Sequence, residues 1–205
     1  MHLNPYGADA VHLAAGLANR RPASPEELVA VCRAAGLLVE DRATAADLTR
    51  THALLDAWEG VVDAPGESER AARLNLMLAA GSSHPRLTDH AGTGWHLHYR
   101  EDHQSLGDLL FALISVGTAL HLVGRGMHRL ARCAVDECAV IFADTTRTGR
   151  RRYCSHPCAN RDAVRRHRAN RNADRPDPAN RPDRPDRPDR PDRPDRPNHF
   201  AAALR

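Results

Sequence analysis

Apolar side chains recur every three or four residues through most of the first 131 positions, which predicts a helical body. Helices are expected over about 8–19, from Pro25 to Gly36, after Thr44, and over about 67–80. A serine precedes Pro25 and two glutamates follow it, which is typical of a capped helix start. Gly36 is suited to end the same helix.

Between residues 85 and 99 the apolar period changes from helical to two. Residues 95–99 read Trp-His-Leu-His-Tyr and follow a turn-rich segment at 89–94, which predicts a short hairpin with residues 86–88. His96 and His98 could hold a metal ion together, but the sequence offers no third ligand beside them. We therefore interpret the two histidines as the solvent face of the hairpin.

The longest predicted helix follows this hairpin and is the most apolar. Ser105 is placed to cap it, and we expect it to continue to about Ala131. Its apolar segment, residues 109–123, is shorter than the roughly 20 residues that a bilayer requires, so we interpret it as a buried core helix. The first five residues lack the features of a secretory signal. We expect a cytoplasmic protein with no membrane partner.

Charge is distributed unevenly along the chain. Residues 1–132 hold 12 arginines against 15 acids, whereas residues 133–171 hold 9 arginines against 4 acids, a net charge of +5. A mildly acidic body followed by a compact basic segment is the asymmetry expected when one part of a chain binds a polyanion.

Four of the five cysteines lie in the basic segment as two close pairs, Cys133-x4-Cys138 and Cys154-x3-Cys158, with fifteen residues between the pairs. Each short pair lets one turn present two sulfurs to the same ion, and zinc accepts four such ligands at about 2.3 Å. A reducing compartment disfavours disulfides. Four thiolates leave no open position for water or substrate, so we predict one structural Zn²⁺. Cys32 is interpreted as a small buried hydrophobe.

The segment between and after the cysteine pairs predicts a hairpin followed by a helix. Residues 140–142 and 151–153 are interpreted as strands joined by a turn at 145–149, and a helix is expected from about Asn160 to Arg171. A knuckle, a hairpin and a helix that begins at the last ligands would form a treble-clef-like zinc finger.

Several short motifs are similar to the CGNR zinc-finger family, in which the finger follows an N-terminal domain called ABATE. In the finger they are Arg132-Cys133, Phe142-Ala143-Asp144-Thr145, the run 150–155, and Cys158-Ala159-Asn160-Arg161. Weaker similarity lies at 25–28, 35–37, 74–75 and 85–87, so the resemblance covers roughly residues 5–171. It implies a stress-induced transcription regulator.

One position departs from the motif that names the family, because Ala159 stands where that motif has glycine. Alanine costs little if this residue has the negative φ of a helix start. A positive φ, or a close approach of the backbone to phosphate, would impair binding.

Arginines around the finger are the candidate nucleic-acid contacts, since planar guanidinium groups suit bidentate contact with phosphates and guanine edges. The candidates on the predicted strand and helix are Arg150, Arg151, Arg152, Arg161, Arg165, Arg166 and Arg168. Asn160 is placed either to pair with an adenine edge or to cap the helix, and we favour the cap.

Two other functions fit parts of the pattern. The basic face could contact a protein, which would make the finger a zinc-stapled protein–protein interaction module. His156, Asn160 and His167 invite comparison with metal-dependent nucleases, but all three lie within twelve residues and no acidic pair accompanies them to hold a catalytic ion. We therefore predict a zinc-dependent DNA-binding regulator of transcription that is not an enzyme.

These features predict an α+β, mostly helical fold in three parts. Residues 1–131 would form an ABATE-like helical domain with a short β-hairpin, and residues 132–171 a treble-clef-like zinc finger with four cysteine ligands. Residues 172–205 would be a disordered Arg-Pro-Asp tail, because proline at every third position blocks both helix and sheet. The body is expected to sense an effector of unknown identity or to mediate association, for example as a homodimer.

Overall fold

The computed structural model describes residues 7–39, 42–89, 95–101 and 103–173. The predictions for the first five residues, for most of the turn at 89–94 and for the Arg-Pro-Asp tail lie outside these ranges. The chain divides into two compact units, residues 1–166 and 167–205. Of the second unit, the structure describes residues 167–173, which are the end of one helix.

The described part of the chain contains six helices and two short antiparallel hairpins. In chain order they are α1 (Ala8–Asn19), α2 (Pro25–Ala34), α3 (Ala45–Val62), α4 (Glu67–Gly81), β1 (Arg86–Thr88), β2 (His96–His98), α5 (Leu106–Arg125), β3 (Leu130–Arg132), β4 (Ile141–Ala143) and α6 (His156–Ala173). The predicted mostly helical α+β fold is confirmed.

Helix α5 forms the centre of the body and packs against α1, α3 and α4. Their buried side chains form one core, in which Trp58 and Ile114 are fully enclosed. The indole N–H of Trp58 donates to Thr118 Oγ1 at 3.0 Å, which satisfies its polar atom inside the core. By length and composition alone α5 could cross a membrane, yet 61% of its most apolar window is buried within the protein. It has the burial expected of a core helix.

Local capping chemistry confirms three predicted helix starts. The side-chain oxygens of Ser24, Thr44 and Ser105 accept hydrogen bonds from backbone N–H groups three residues further on. Asp47 accepts a hydrogen bond from the Thr44 backbone N–H in return, which completes a capping box. Just beyond α2, Gly36 has a φ of 78°, the left-handed conformation that suits glycine at a helix end.

The β1–β2 hairpin has the predicted pairing, with Leu87 opposite Leu97. The interpretation of its faces was wrong. His96 and His98 are half-buried, whereas Leu87, Leu97 and Trp95 are 64%, 48% and 71% exposed. Alternation along a strand separates two faces but does not say which of them the body covers.

Helix α5 ends at Arg125, so the predicted extension to Ala131 was wrong. Gly126 follows with a φ of 114° and its N–H bonds to the Leu122 carbonyl, which closes the last turn. The chain then turns, and Leu130–Arg132 forms strand β3 instead of a helix. The apolar side chain of Leu130 is buried in the body core.

The second hairpin also differs from the prediction. Strand β4 pairs with β3, so that Arg132 lies opposite Ile141, and residues 151–153 form no strand. The backbone of that segment is bound in other ways: Asp144 accepts from the Arg151 N–H, and the Ala134 N–H donates to the Arg152 carbonyl. These two backbone groups are therefore satisfied outside a strand ladder.

Strand β4 is fastened directly to helix α1. The Asn19 amide donates to the Ile141 carbonyl and accepts from the Ile141 N–H, both at 2.8 Å. Arg132 of β3 in turn reaches α3 and its C-terminus, where it donates to Asp63 at 2.7 Å and to Glu59 at 2.9 Å. This guanidinium holds the pKa of the Asp63 carboxyl below its usual range. The β3–β4 hairpin is therefore part of the core of the first unit.

Asn19→Ala should lower the free energy of unfolding by about 1–3 kcal/mol, because it leaves two partly buried backbone groups of Ile141 unpaired. The matched control is Asn75→Ala, which removes the same side chain from an exposed position on α4, and its effect should stay within about 0.5 kcal/mol. Urea unfolding of the zinc-loaded proteins measures both. Equal losses in the two variants would contradict the role given to Asn19.

Candidate metal centre and nucleic-acid interface

The four cysteines of the basic segment converge on one point. Their sulfur atoms all lie within 4.8 Å of one another. The Sγ atom of Cys154 is 3.7 Å from that of Cys138 and 3.6 Å from that of Cys158, and the last two are 3.9 Å apart. A zinc tetrahedron with bonds of about 2.3 Å has sulfurs about 3.8 Å apart. The four residues are positioned to bind one zinc ion, as predicted.

Each cysteine pair is presented by a short, regular piece of backbone. Cys133 directly follows β3, and the Cys138 N–H closes a tight turn on the Val135 carbonyl. Cys158 lies in the first turn of α6, where its N–H donates to Ser155 Oγ at 3.4 Å. The positive end of the helix dipole therefore faces the sulfurs, which favours thiolates.

The electrostatics of the cluster call for a cation. Burial would raise the pKa of the Cys133 thiol, but the N–H groups of Cys154 and Val135 donate to its sulfur and lower the pKa to about 7. Burial, and then contact with the neighbouring thiols, raises the pKa of Cys154 to about 12. The Cys133 thiolate therefore forms readily, whereas ionisation of Cys154 beside it calls for a metal dication to offset the repulsion.

Helix α6 begins at His156, before the predicted start at Asn160. Asn160 is therefore inside the helix and exposed, and the capping role that we favoured for it was wrong; Ser155 lies at the cap position. Ala159 is in the first turn, where its N–H bonds to the Ser155 carbonyl. A helical residue has negative φ, so alanine fits here, and it favours helix over glycine by about 1 kcal/mol.

Two buried residues that the sequence reasoning missed hold the loop before the second cysteine pair. Asp144 accepts hydrogen bonds from the Thr146 N–H and hydroxyl and from the Arg151 N–H. Arg129 donates to the Asp144 and Thr146 carbonyls. A Cβ atom at Gly149, whose φ is 65°, would lie 2.5 Å from the Arg129 guanidinium carbon. In the sequence, Asp-Thr-Thr at 144–146 with glycine three residues later was the available signal for a turn held by side-chain hydrogen bonds.

A second buried acid, Asp162, orients α6 against the cysteine cluster. Its carboxylate accepts from the Tyr153 hydroxyl at 2.6 Å, from Arg166 at 2.9 Å and from Arg165 at 3.0 Å. The tyrosine hydroxyl and the two guanidinium groups hold the pKa of this carboxyl below its usual range. Arg165 also donates to Asp136 in the first knuckle at 2.7 Å. Helix and knuckle are thus joined through one arginine.

The candidate arginines divide into two groups by their contacts. Arg151, Arg165 and Arg166 bind groups within the finger; Arg151 donates to the carbonyls of Tyr153 and Cys154. The side chains of the other group are exposed and form no hydrogen bond or ion pair with the described residues. It consists of Arg150, Arg152, Arg161 and Arg168. We call these four the exposed arginines.

Among residues 7–39, 42–89, 95–101 and 103–173, the four cysteines are the one cluster of three or more metal-ligating residues. His156, Asn160 and His167 all lie on α6. Neither histidine belongs to a group of three or more metal-ligating residues in the part of the chain that the structure describes. The four cysteines fill all four positions of a tetrahedral zinc ion, so the site leaves no position open for water or substrate.

Family comparisons agree with this architecture. A profile for the CGNR zinc finger matches residues 129–171. The ABATE profile, described as "Putative stress-induced transcription regulator", matches residues 11–139, which is more than half of the chain. A search of curated proteins found no match.

The two family matches and the four-cysteine site together indicate a zinc-binding regulatory protein. The chain belongs to the ABATE family and carries a CGNR zinc finger. Both families are regulatory or zinc-finger families and not enzyme families.

Cys154→Ser should abolish zinc binding and the order of α6, because zinc contributes on the order of 10–16 kcal/mol to such modules. The strand β4 should stay folded, since it packs in the body core. Elemental analysis and amide hydrogen exchange measure the two effects. Cys32→Ala is the control, because Cys32 is buried away from the cluster, and it should retain one zinc per chain. A metal-free protein with α6 still protected would contradict this role for zinc.

Asp162→Asn should speed the transfer of zinc to a chelator several-fold, because it leaves the Tyr153 hydroxyl and two arginines without their shared carboxylate. Asp136→Asn is the matched control: it removes a partner of the same Arg165, but its side chain is 79% exposed, and exposed ion pairs contribute little. Similar chelation rates in the two variants would refute the anchoring role of Asp162.

Proposed function

We propose that this protein is a zinc-dependent DNA-binding regulator of transcription in the cytoplasm, and that the exposed arginines contact the DNA backbone and bases. The observation that carries the proposal is the separation of charge in the finger. The exposed arginines form no ion pair with the described residues, whereas two of the four acids of the finger are buried. The family description supports a role in transcription.

The acids of the finger are largely withdrawn from its surface. Asp144 and Asp162 are 2% and 6% exposed, and both are saturated with hydrogen bonds. Asp136 and Glu137 are exposed but lie beside Arg165. The charge presented to a partner is therefore more positive than the net count of the segment suggests, which favours a polyanion.

The paired arginines have a supporting role in this proposal. Arg165 and Arg166 bind Asp162 of their own helix, and Arg165 also donates to Asp136 of the first knuckle. Arg151 stacks over the Phe142 ring at 4.9 Å. They support the part of α6 that carries Arg161. Asn160, exposed on the same helix, can then reach a base edge. The body would regulate or assemble the protein.

A protein partner is the alternative, and one observation favours it. Val164 is 50% exposed on α6 among the arginines, and an apolar side chain adds nothing to phosphate binding. A protein interface would use Val164, whereas a DNA interface would use the exposed arginines. The two functions therefore predict different sensitive residues.

Replacing Arg161 and Arg168 together by Gln should weaken binding to a random-sequence duplex and reduce the slope of log K against log salt by about two units, because about 0.9 counterion is released per phosphate neutralised. Fluorescence anisotropy over a salt series measures this. Arg20→Gln, which removes an arginine with an 86% exposed side chain just after α1, should leave the slope unchanged.

Zinc content and the thermal midpoint should be the same in the wild type, the double variant and the Arg20→Gln control. The reason is that the side chains of Arg161 and Arg168 have no partner among the described residues. Arg165→Gln should behave differently and lose stability as well as affinity. An unchanged salt slope in the double variant, with partner binding lost on Val164→Ser, would favour the protein-contact alternative.

A further inference from the structure

We propose that His96 and His98 form a second metal site, in which two imidazoles bind a divalent transition-metal ion that prefers right-angle coordination, such as Ni²⁺ or Cu²⁺. The site lies in the body, on strand β2, and uses none of the four cysteines. It does not depend on the proposed DNA binding.

The two imidazoles converge on one point. Their Nε2 atoms are 3.0 Å apart, and their ring centroids are 4.8 Å apart at an interplanar angle of 61°. Two imidazoles that share an ion with bonds of about 2.0–2.1 Å would have centroids about 4.7 Å apart at this Nε2 separation. A head-on hydrogen bond of the same length would place them about 5.3 Å apart. The observed separation matches shared coordination.

The same distances favour one class of ion. Bonds of about 2.0–2.1 Å and a 3.0 Å separation correspond to an angle of about 91–97° at the metal. That is smaller than the tetrahedral angle of a zinc site and close to the right angle of tetragonal or octahedral Ni²⁺ and Cu²⁺. Imidazole nitrogen is a favoured ligand of both ions. Water or a small anion would fill the remaining positions.

The hairpin preorganises this pair. His96 lies opposite Thr88 and His98 opposite Arg86, so both side chains are on one face of a paired strand. Both are half-buried, which restricts their rotamers. The Arg86 guanidinium donates to the carbonyl of Arg100, which follows the His98 end of β2.

Calorimetric titration of the zinc-loaded full chain with NiCl₂ tests the site, with zinc content measured in parallel. The wild type should take up one Ni²⁺ per chain in addition to its zinc. His96→Gln and His98→Gln should each bind Ni²⁺ at least about tenfold more weakly, because one of two ligands is lost. His12→Gln, at an exposed position on α1, is the control and should bind as the wild type does.

A second measurement needs no variant. Substoichiometric Ni²⁺ should broaden the ring-proton resonances of His96 and His98 before that of His12. Absence of Ni²⁺ uptake, uptake unchanged in the His96 and His98 variants, uptake matched by zinc release, or equal broadening of all three resonances would overturn the proposal.

Discussion

Four sulfur atoms held within 4.8 Å of one another carry more negative charge, once ionised, than so small a volume tolerates without a cation. The rest of the finger is arranged around that constraint. Cys133, Val135 and Cys158 form its small core, with Cys138, Cys154 and Tyr153 at the edge. No described side chain of α6 belongs to the body core. The position of α6 therefore depends on the metal and on two buried acids. Asp144 holds the loop before the second cysteine pair, and Asp162 joins α6 to Tyr153.

The body holds the other end of the finger by different means. An amide, Asn19, pairs with the backbone of β4 as a neighbouring strand would, and Arg132 forms ion pairs with Glu59 and Asp63 of the α3 end. Leu130, Ile141 and Ala143 are buried in the same core as α1 and α5. One hairpin thus serves two structures: its strands complete the body, and the turn between them supplies two zinc ligands. This division explains why loss of zinc would disorder α6 but not β4.

Buried acids have their largest effect on surface charge in the finger. In the body, Asp47 is buried at a helix start, and Arg21 pairs at the surface with Asp56 and Glu59. In the finger, Asp144 and Asp162 are taken inside to bind backbone and guanidinium groups, and the exposed arginines face outward. Burial of the acids has two consequences at once. It orders the loop and helix, and it concentrates positive charge on the surface that we propose to meet DNA.

Local chemistry was readable from the sequence. Ser24, Thr44 and Ser105 begin their helices because a cap involves only neighbouring residues, and the cysteine spacings predicted zinc because each pair needs just one turn. Long-range choices were not readable. The pairing of β3 with β4 depends on a core to which α1 contributes. Asp162, whose burial only the assembled finger determines, decided that Arg165 and Arg166 have a partner within the finger. Neighbouring residues determine what a side chain can bind within a few positions, whereas packing decides which of the distant candidates it meets.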